Sequence, residues 1–269
     1  MPRRPIGIFD SGEGGLTVTR EIARLLPGED LIYACDTLHF PYGPRSLSEV
    51  RRFFLRFVDF FAEMDCKLVV VACNTATVAA LDLLDGNLRL PAIGVVQPGA
   101  RAAAAASQTG RIGVAATQGT CASGIYPRLI KQYRPEAQVV QEPCPILVIR
   151  AEEGVISGPV VRAEVVRCLS PFLVNKVDTL VLGCTHFPHM AALIADVAGP
   201  GVTLVDPGVE TARDVAAYLS AAGLNNSGSQ GRRLFCTTGD PAKFTEVASR
   251  LWPGGVFEAQ QIQLNFEQE

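Results

Sequence analysis

The sequence predicts an α/β protein made of two pseudo-symmetric, doubly wound parallel-sheet domains that face each other across a cleft. Three observations carry that expectation. Apolar β-branched runs alternate with stretches of helical spacing along the 269 residues, as strand–helix units around buried parallel sheets require. The run Ile6-Gly7-Ile8-Phe9-Asp10-Ser11 is matched 106 residues later by Ile112-Gly113-Val114-Ala115-Ala116-Thr117. The segment Leu68 to Thr75, ending Ala72-Cys73-Asn74-Thr75, has its counterpart in Leu180 to Phe187, where Gly183-Cys184-Thr185-His186 lies 111 residues on from the first cysteine. Two landmarks at nearly one offset indicate an internal repeat.

In chain order, Ile6 to Asp10 reads as a buried strand, Ser11 to Gly15 as a glycine turn, and Leu16 to Leu26 as a helix stopped by Pro27-Gly28. A strand over 30–35 runs into a loop holding Pro41-Tyr42-Gly43. Ser46, with Glu49 three residues later, has the spacing of a helix N-cap, and the helix extends to about Met64. The first cysteine strand follows, then a helix over 75–84 and a strand over 92–96. The alanine-rich stretch 100–106 begins the second half, which closes near Val205-Asp206-Pro207. A helix over 210–221 and a strand around Phe235 are too short to stand alone and are expected to complete the first half. The expected domains are therefore 1–98 with 208–269, and 99–207. The segment 225–231 reads as a polar glycine/serine loop without function.

Composition narrows the function. A chain 48% hydrophobic and 19% charged has enough apolar material for one large or two modest domains. No apolar run approaches the roughly 20 residues of a membrane span, and the N-terminus leads into a strand without a cleavable signal pattern. A cytoplasmic location is expected, where the eight cysteines stay reduced. With a net charge of −3 and scattered basic residues, neither nucleic acid nor a membrane is an expected partner.

Cys73 and Cys184 sit at strand C-terminal ends, where open α/β sheets carry ligands. A helix N-terminus behind a thiol lowers its pKa below about 8.5, so both are expected as activated thiols. The other six cysteines read as small buried apolar groups. A zinc site or a redox pair needs a C-x-x-C spacing that the chain lacks. The glycine turn after Asp10 lacks the G-x-G-x-x-G order and the P-loop lysine, and an acid at its head would repel phosphate. Asp10 is better suited to handling a proton or meeting a substrate ammonium, with capping of the next helix as the alternative. His186, two residues from Cys184, can poise that thiol; His39 and His189 read as surface or structural.

The motifs Phe9-Asp10-Ser11-Gly12 with Gly14-Gly15-Leu16, Asp36-Thr37 with Phe40-Pro41-Tyr42-Gly43, Ala72-Cys73-Asn74-Thr75-Ala76, Gly183-Cys184-Thr185-His186-Phe187-Pro188 and Thr237-Thr238-Gly239-Asp240 run from end to end of the chain. In this combination the sequence resembles the glutamate racemases of the aspartate/glutamate racemase superfamily. The resemblance implies interconversion of L- and D-glutamate without cofactor or metal, one cysteine on each face of the α-carbon, and D-glutamate for peptidoglycan as the product's use. It assigns Cys73 to D-glutamate with Asp10 as helper and Cys184 to L-glutamate with His186 as helper. Asp36 and Glu152 carry over as further catalytic positions. Asp10, Ser11, Tyr42, Gly43, Asn74, Thr75, Thr120, Thr185 and His186 carry over as substrate contacts. A homodimer is the family's expectation.

No arginine lies in these motifs, so the neutral donors Ser11, Asn74, Thr75, Thr117, Thr120 and Thr185 are expected to hold the substrate carboxylates. Arg150, two residues before Glu152, departs from the family pattern and is expected to affect that acid's surroundings. The competing readings are a related racemase acting on aspartate, and a non-catalytic binding protein or gyrase inhibitor with the same cleft.

Overall fold

The protein is described by a computed structural model covering residues 3–226, 228 and 230–266. Ser227 and Ser229 of the expected glycine/serine loop lie outside the described residues, as do Met1 and Pro2 of the expected leaderless N-terminus. The strands are β1 (Ile6–Asp10), β2 (Leu31–Cys35), β3 (Leu68–Val71), β4 (Ala92–Gly94), β5 (Arg111–Ala116), β6 (Gln138–Pro143), β7 (Thr179–Gly183), β8 (Thr203–Val205), β9 (Arg233–Thr237) and β10 (Ala259–Gln261). One parallel sheet has the order β10-β9-β2-β1-β3-β4, the other β6-β5-β7-β8. The internal repeat is visible in this order. The four strands β2-β1-β3-β4 correspond one for one to β6-β5-β7-β8, and the C-terminal strands β9 and β10 extend only the first sheet.

The duplicated Ile-Gly pair has a packing cause. A Cβ on Gly7 would stand 2.5 Å from the Phe61 ring, and one on Gly113 would stand 2.8 Å from Phe172. In each half, then, a glycine in the central strand lets an aromatic ring of the covering helix (Leu47–Glu63 or Pro159–Val174) lie flush on the sheet. Strands β1, β2, β3 and β7 are buried along their whole length, as a sheet covered on both faces demands. No helix among the described residues is long and apolar enough to cross a membrane.

Several boundaries differ from expectation. The helix after Cys73 covers only Asn74–Ala79, because Ala80 leaves helical backbone (φ −120°, ψ 14°) and a 3-10 turn, Leu81–Leu83, follows. Strand β4 stops at Gly94, where Thr77 packs so closely that a Cβ would meet it at 2.4 Å. The next helix starts at Val96 rather than Ala100; Pro98 fits its first turn, where no intrahelical N–H is needed. The helix expected from Glu210 begins at Pro207, since Asp206 accepts from Gly208 N at 2.8 Å and caps it.

A buried ion pair fastens the chain's return to the first half. Lys67, 3% exposed, and Glu29, 4% exposed, meet at 2.5 Å, while Lys67 Nζ also donates to Leu224 O and Glu29 accepts from Asn226 N. Lys67→Met would leave the Glu29 carboxylate buried without its counter-ion, and a loss of about 3–5 kcal/mol is expected in denaturant unfolding. The double variant Lys67→Met with Glu29→Gln should recover much of it. A single variant within about 1 kcal/mol of wild type would show that the pair does not fasten this segment.

Candidate active site

Both sheets turn the C-terminal ends of their strands to one cleft, so the residues after β1, β3, β5 and β7 meet there. They line a cavity of about 170 Å³ with Ser11, Cys73, Asn74 and Thr75 on one side and Thr117, Gln118, Cys184, Thr185 and His186 on the other. Phe40, Pro41, Tyr42, Gly43, Pro44, Pro145, Val148 and Ile149 complete the wall. The volume is below the roughly 300 Å³ at which sites for drug-sized ligands begin, and suits a molecule the size of an amino acid. Neither arginine nor lysine reaches this lining, in keeping with neutral donors as the anion-binding groups.

The two thiols have different surroundings. Cys73 caps the short helix Asn74–Ala79; its Sγ accepts from Ala76 N at 3.5 Å and donates to Ser11 Oγ at 3.7 Å. The expectation of a lowered pKa is corrected here. Burial, reinforced by the neighbouring Asp10, pushes the Cys73 thiol well above its ordinary range, outweighing the Ala76 N–H. Behind Cys184 the chain forms a 3-10 turn, Phe187–Met190, instead of an α-helix start. Its Sγ lies 3.5 Å from His186 Nδ1, and His186 Nε2 bonds Glu152 Oε1. Burial opposes a charge on His186, but Glu152 and the Cys184 side chain hold its pKa well above normal. Burial likewise opposes ionisation of Glu152, and His186 together with Glu13 holds it below the usual range.

Asp10, fully buried, joins the two halves. Its Oδ2 accepts from Gly15 N at 2.8 Å and from Thr185 Oγ1 at 3.2 Å, and its Oδ1 has no partner among the described residues. Burial raises its pKa to about 6, against the lowering effect of His186. Asp10, Asp36, Glu152 and Thr120 stand behind the cavity wall instead of in it. Asp36 accepts from Tyr42 Oη at 2.7 Å and Thr238 Oγ1 at 2.8 Å and pairs with His39 at 2.9 Å, so it holds the Pro41-Tyr42-Gly43 loop in place. Thr120, also fully buried, bonds Thr117 Oγ1 at 3.0 Å. Arg150 turns away from Glu152, to Glu164 at 2.9 Å and Glu153 at 3.0 Å, so the disturbance expected of it does not arise. His39 stacks on Phe53, and His189 is half-buried, its Nε2 without a partner among the described residues.

Sequence reasoning missed Glu13, whose N–H donates to Glu152 Oε1 at 3.1 Å, and Tyr126, whose hydroxyl donates to Asn74 Oδ1 at 2.7 Å. An acid inside a glycine turn was the visible signal for Glu13; Tyr126 carried none. Gln118, Val148 and Ile149, which also line the cavity, carried none either.

Comparison with known proteins agrees with this geometry. The Asp/Glu/Hydantoin racemase family matches residues 6–215. The chain belongs to that family. It is 68% identical over 269 residues to a glutamate racemase of Symbiobacterium thermophilum, covering 99% of this chain and 97% of the relative. Among solved structures, a glutamate racemase isoform from Bacillus anthracis superposes with a TM-score of 0.94 at 36% identity, over 98% of both chains. The glutamate racemase of Francisella tularensis, solved with D-glutamate, superposes with a TM-score of 0.89 at 30% identity, again over 98% of both. Within the family the chain stands with the glutamate racemases, isomerases that act on an amino acid.

The raised Asp10 pKa has a consequence for stability. An acid whose pKa is higher in the folded state contributes stability that is complete below its unfolded value, near 3.8, and is lost as pH rises through about 6. Asp10→Asn removes that dependence. Its stability relative to wild type should therefore rise by on the order of 3 kcal/mol between about pH 3.5 and pH 7, measured by urea unfolding at both. A pH-independent difference would mean that burial does not strain this carboxyl.

Proposed function

We propose that the cleft interconverts L- and D-glutamate by a two-base mechanism with Cys73 and Cys184 as the bases. The carrying observation is that thiols from opposite halves of the fold line one small cavity in unlike surroundings, Cys73 bonded to Ser11 beside the Asp10 carboxyl and Cys184 beside the His186 imidazole. Cys184 as thiolate takes the α-proton of L-glutamate while the Cys73 thiol delivers a proton to the opposite face, giving D-glutamate. The thiol and thiolate have then exchanged places, and D-glutamate is processed by the reverse steps. Inversion in one direct step is served by a base and an acid on opposite faces of one carbon, an arrangement that two facing thiols supply.

The α-proton is weakly acidic, so negative charge developing on the substrate must be met by donors already in place. Ser11, Asn74, Thr75, Thr117 and Thr185 are the side chains positioned for that. Asp10 Oδ1, without a partner among the described residues, is an acceptor beside Cys73 suited to the thiol proton. Burial favours the thiol form of Cys73, which fits it as the proton donor to a substrate attacked from the Cys184 side. His186, paired with Glu152, serves the same exchange for Cys184. Use of the D-glutamate in peptidoglycan, a cytoplasmic location and a homodimeric state belong to the same proposal, the last testable by light scattering.

Loss of optical rotation from L- and from D-glutamate, followed by circular dichroism, tests the reading. Cys73→Ser and Cys184→Ser should each abolish racemisation. With a β-chloro glutamate, elimination should survive in Cys73→Ser for the L-configured compound and in Cys184→Ser for the D-configured one. Full racemisation by either variant would refute the two-base assignment. Turnover of aspartate alone would transfer the activity to that substrate, and no turnover of either would favour a binding protein.

A further inference from the structure

Behind His186 the site continues into a second carboxyl that the racemisation scheme leaves unused. Glu13 lies in the 3-10 turn Glu13–Gly15 after β1 and is 4% exposed; Glu152 comes from the helix Pro145–Glu152 of the other half. The Glu13 N–H donates to Glu152 Oε1 at 3.1 Å, which brings the two carboxyl side chains together at the join of the two halves. Glycine at position 12 permits the approach, since a Cβ there would be 2.3 Å from Glu152 Oε1. Two carboxyls brought together in a buried site share a proton, because two adjacent carboxylates there repel. Glu152 already faces the His186 imidazole, so it is the one that carries the charge. Burial and Glu152 raise the Glu13 pKa to about 10, consistent with Glu13 as the neutral partner.

We propose that Glu13 is a positioning residue for Cys184: its neutral carboxyl donates to Glu152 and keeps that carboxylate turned onto His186, and His186 onto the thiol. The line runs Glu13, Glu152, His186, Cys184: the Glu13 N–H bonds Glu152 Oε1, the same oxygen meets His186 Nε2, and His186 Nδ1 lies 3.5 Å from the thiol. Cys73 has no such line; its partners are Ser11 and the Ala76 N–H. The inference rests on the reading of Cys184 as the base for L-glutamate. Other charged groups face the pair without replacing Glu13. Asp10, Cys35 and Tyr33 approach it from the sheet. On the side away from the thiols, Glu13 and Glu152 border a cavity of about 590 Å³ shared with Glu153, Asp240, Lys243, Glu246 and Arg250. There Arg250 is engaged by Glu246 and by the Glu153 carbonyl.

One-sided elimination from L- and D-configured β-chloro glutamate reads each thiol separately, which racemisation at equilibrium constant one does not. Glu13→Met fills the same space without a donor. It should slow the L-sided elimination about tenfold or more, leave the D-sided rate within about twofold, and move the acid limb of the L-sided pH profile upward, because Glu152 loses a donor that favours its ionised form. Glu13→Gln, which keeps a neutral donor, should recover the L-sided rate to within about threefold. The retained D-sided rate reports that each variant is folded. Equal loss on both sides, no loss on either, or a glutamine variant as impaired as the methionine one would overturn the role of Glu13. Cys184→Ser serves as the control: if it keeps the L-sided elimination, the assignment of Cys184 fails, independently of Glu13.

Discussion

Asp10 Oδ2 accepts at once from Gly15 N in its own half and from Thr185 Oγ1 in the other, in a site from which water is excluded. Ionisation of a carboxyl there is costly, and the two hydrogen bonds and His186 offset only part of that cost. The arrangement persists because the sheets enclose it, and it fixes the distance between the residues after β1 and those after β7. Thr17 adds a second tie at the same place, donating to Thr185 O at 3.1 Å. Without this join the thiols of the two halves would have no defined separation, and a two-sided reaction at one carbon would lack its geometry.

The repeat makes the join reciprocal. After Cys184, Thr185 reaches back to Asp10 of the first half; after Cys73, Asn74 accepts from Tyr126 and Thr75 bonds Thr117 at 2.9 Å, both in the second half. The Gly119 N–H, donating to Gly43 O at 3.0 Å, closes the rim. Each cysteine is therefore followed by side chains that hold the opposite half, so the residues that bring the thiols together are neighbours of the thiols themselves. The duplicated scaffold nevertheless gives the two thiols unlike surroundings: a helix-capping buried thiol on one side, a thiol beside a histidine–carboxylate pair on the other.

Much of this was legible in the sequence because it is local. The paired Ile-Gly strands and the two cysteine motifs fix strand identity and the side of the sheet on which the chemistry falls, and position 46 announces a helix by its cap. What was not legible depends on contacts across the cleft. A helix N-terminus suggested a lowered Cys73 pKa, but the burial that reverses it comes from packing two halves together. Asp36 and Glu152 were found through family resemblance, and their placement behind the cavity wall follows from partners at long range, Thr238 for Asp36 and Glu13 for Glu152. The short helix after Cys73 escaped a reading based on apolar spacing, since Leu81, Leu83 and Leu84 continue the pattern after the backbone has turned.

The central claim is that two different groups handle the proton on the two faces of the substrate. Racemisation of L-glutamate in deuterium oxide, stopped within the first few per cent of conversion and resolved into enantiomers by chiral separation with mass detection, tests it most directly. The account requires D-glutamate carrying deuterium at the α-carbon while the remaining L-glutamate carries none, because the proton taken by one thiol is not the one returned by the other. D-glutamate that retains the substrate's own proton, or equal labelling of both enantiomers from the start, would contradict it.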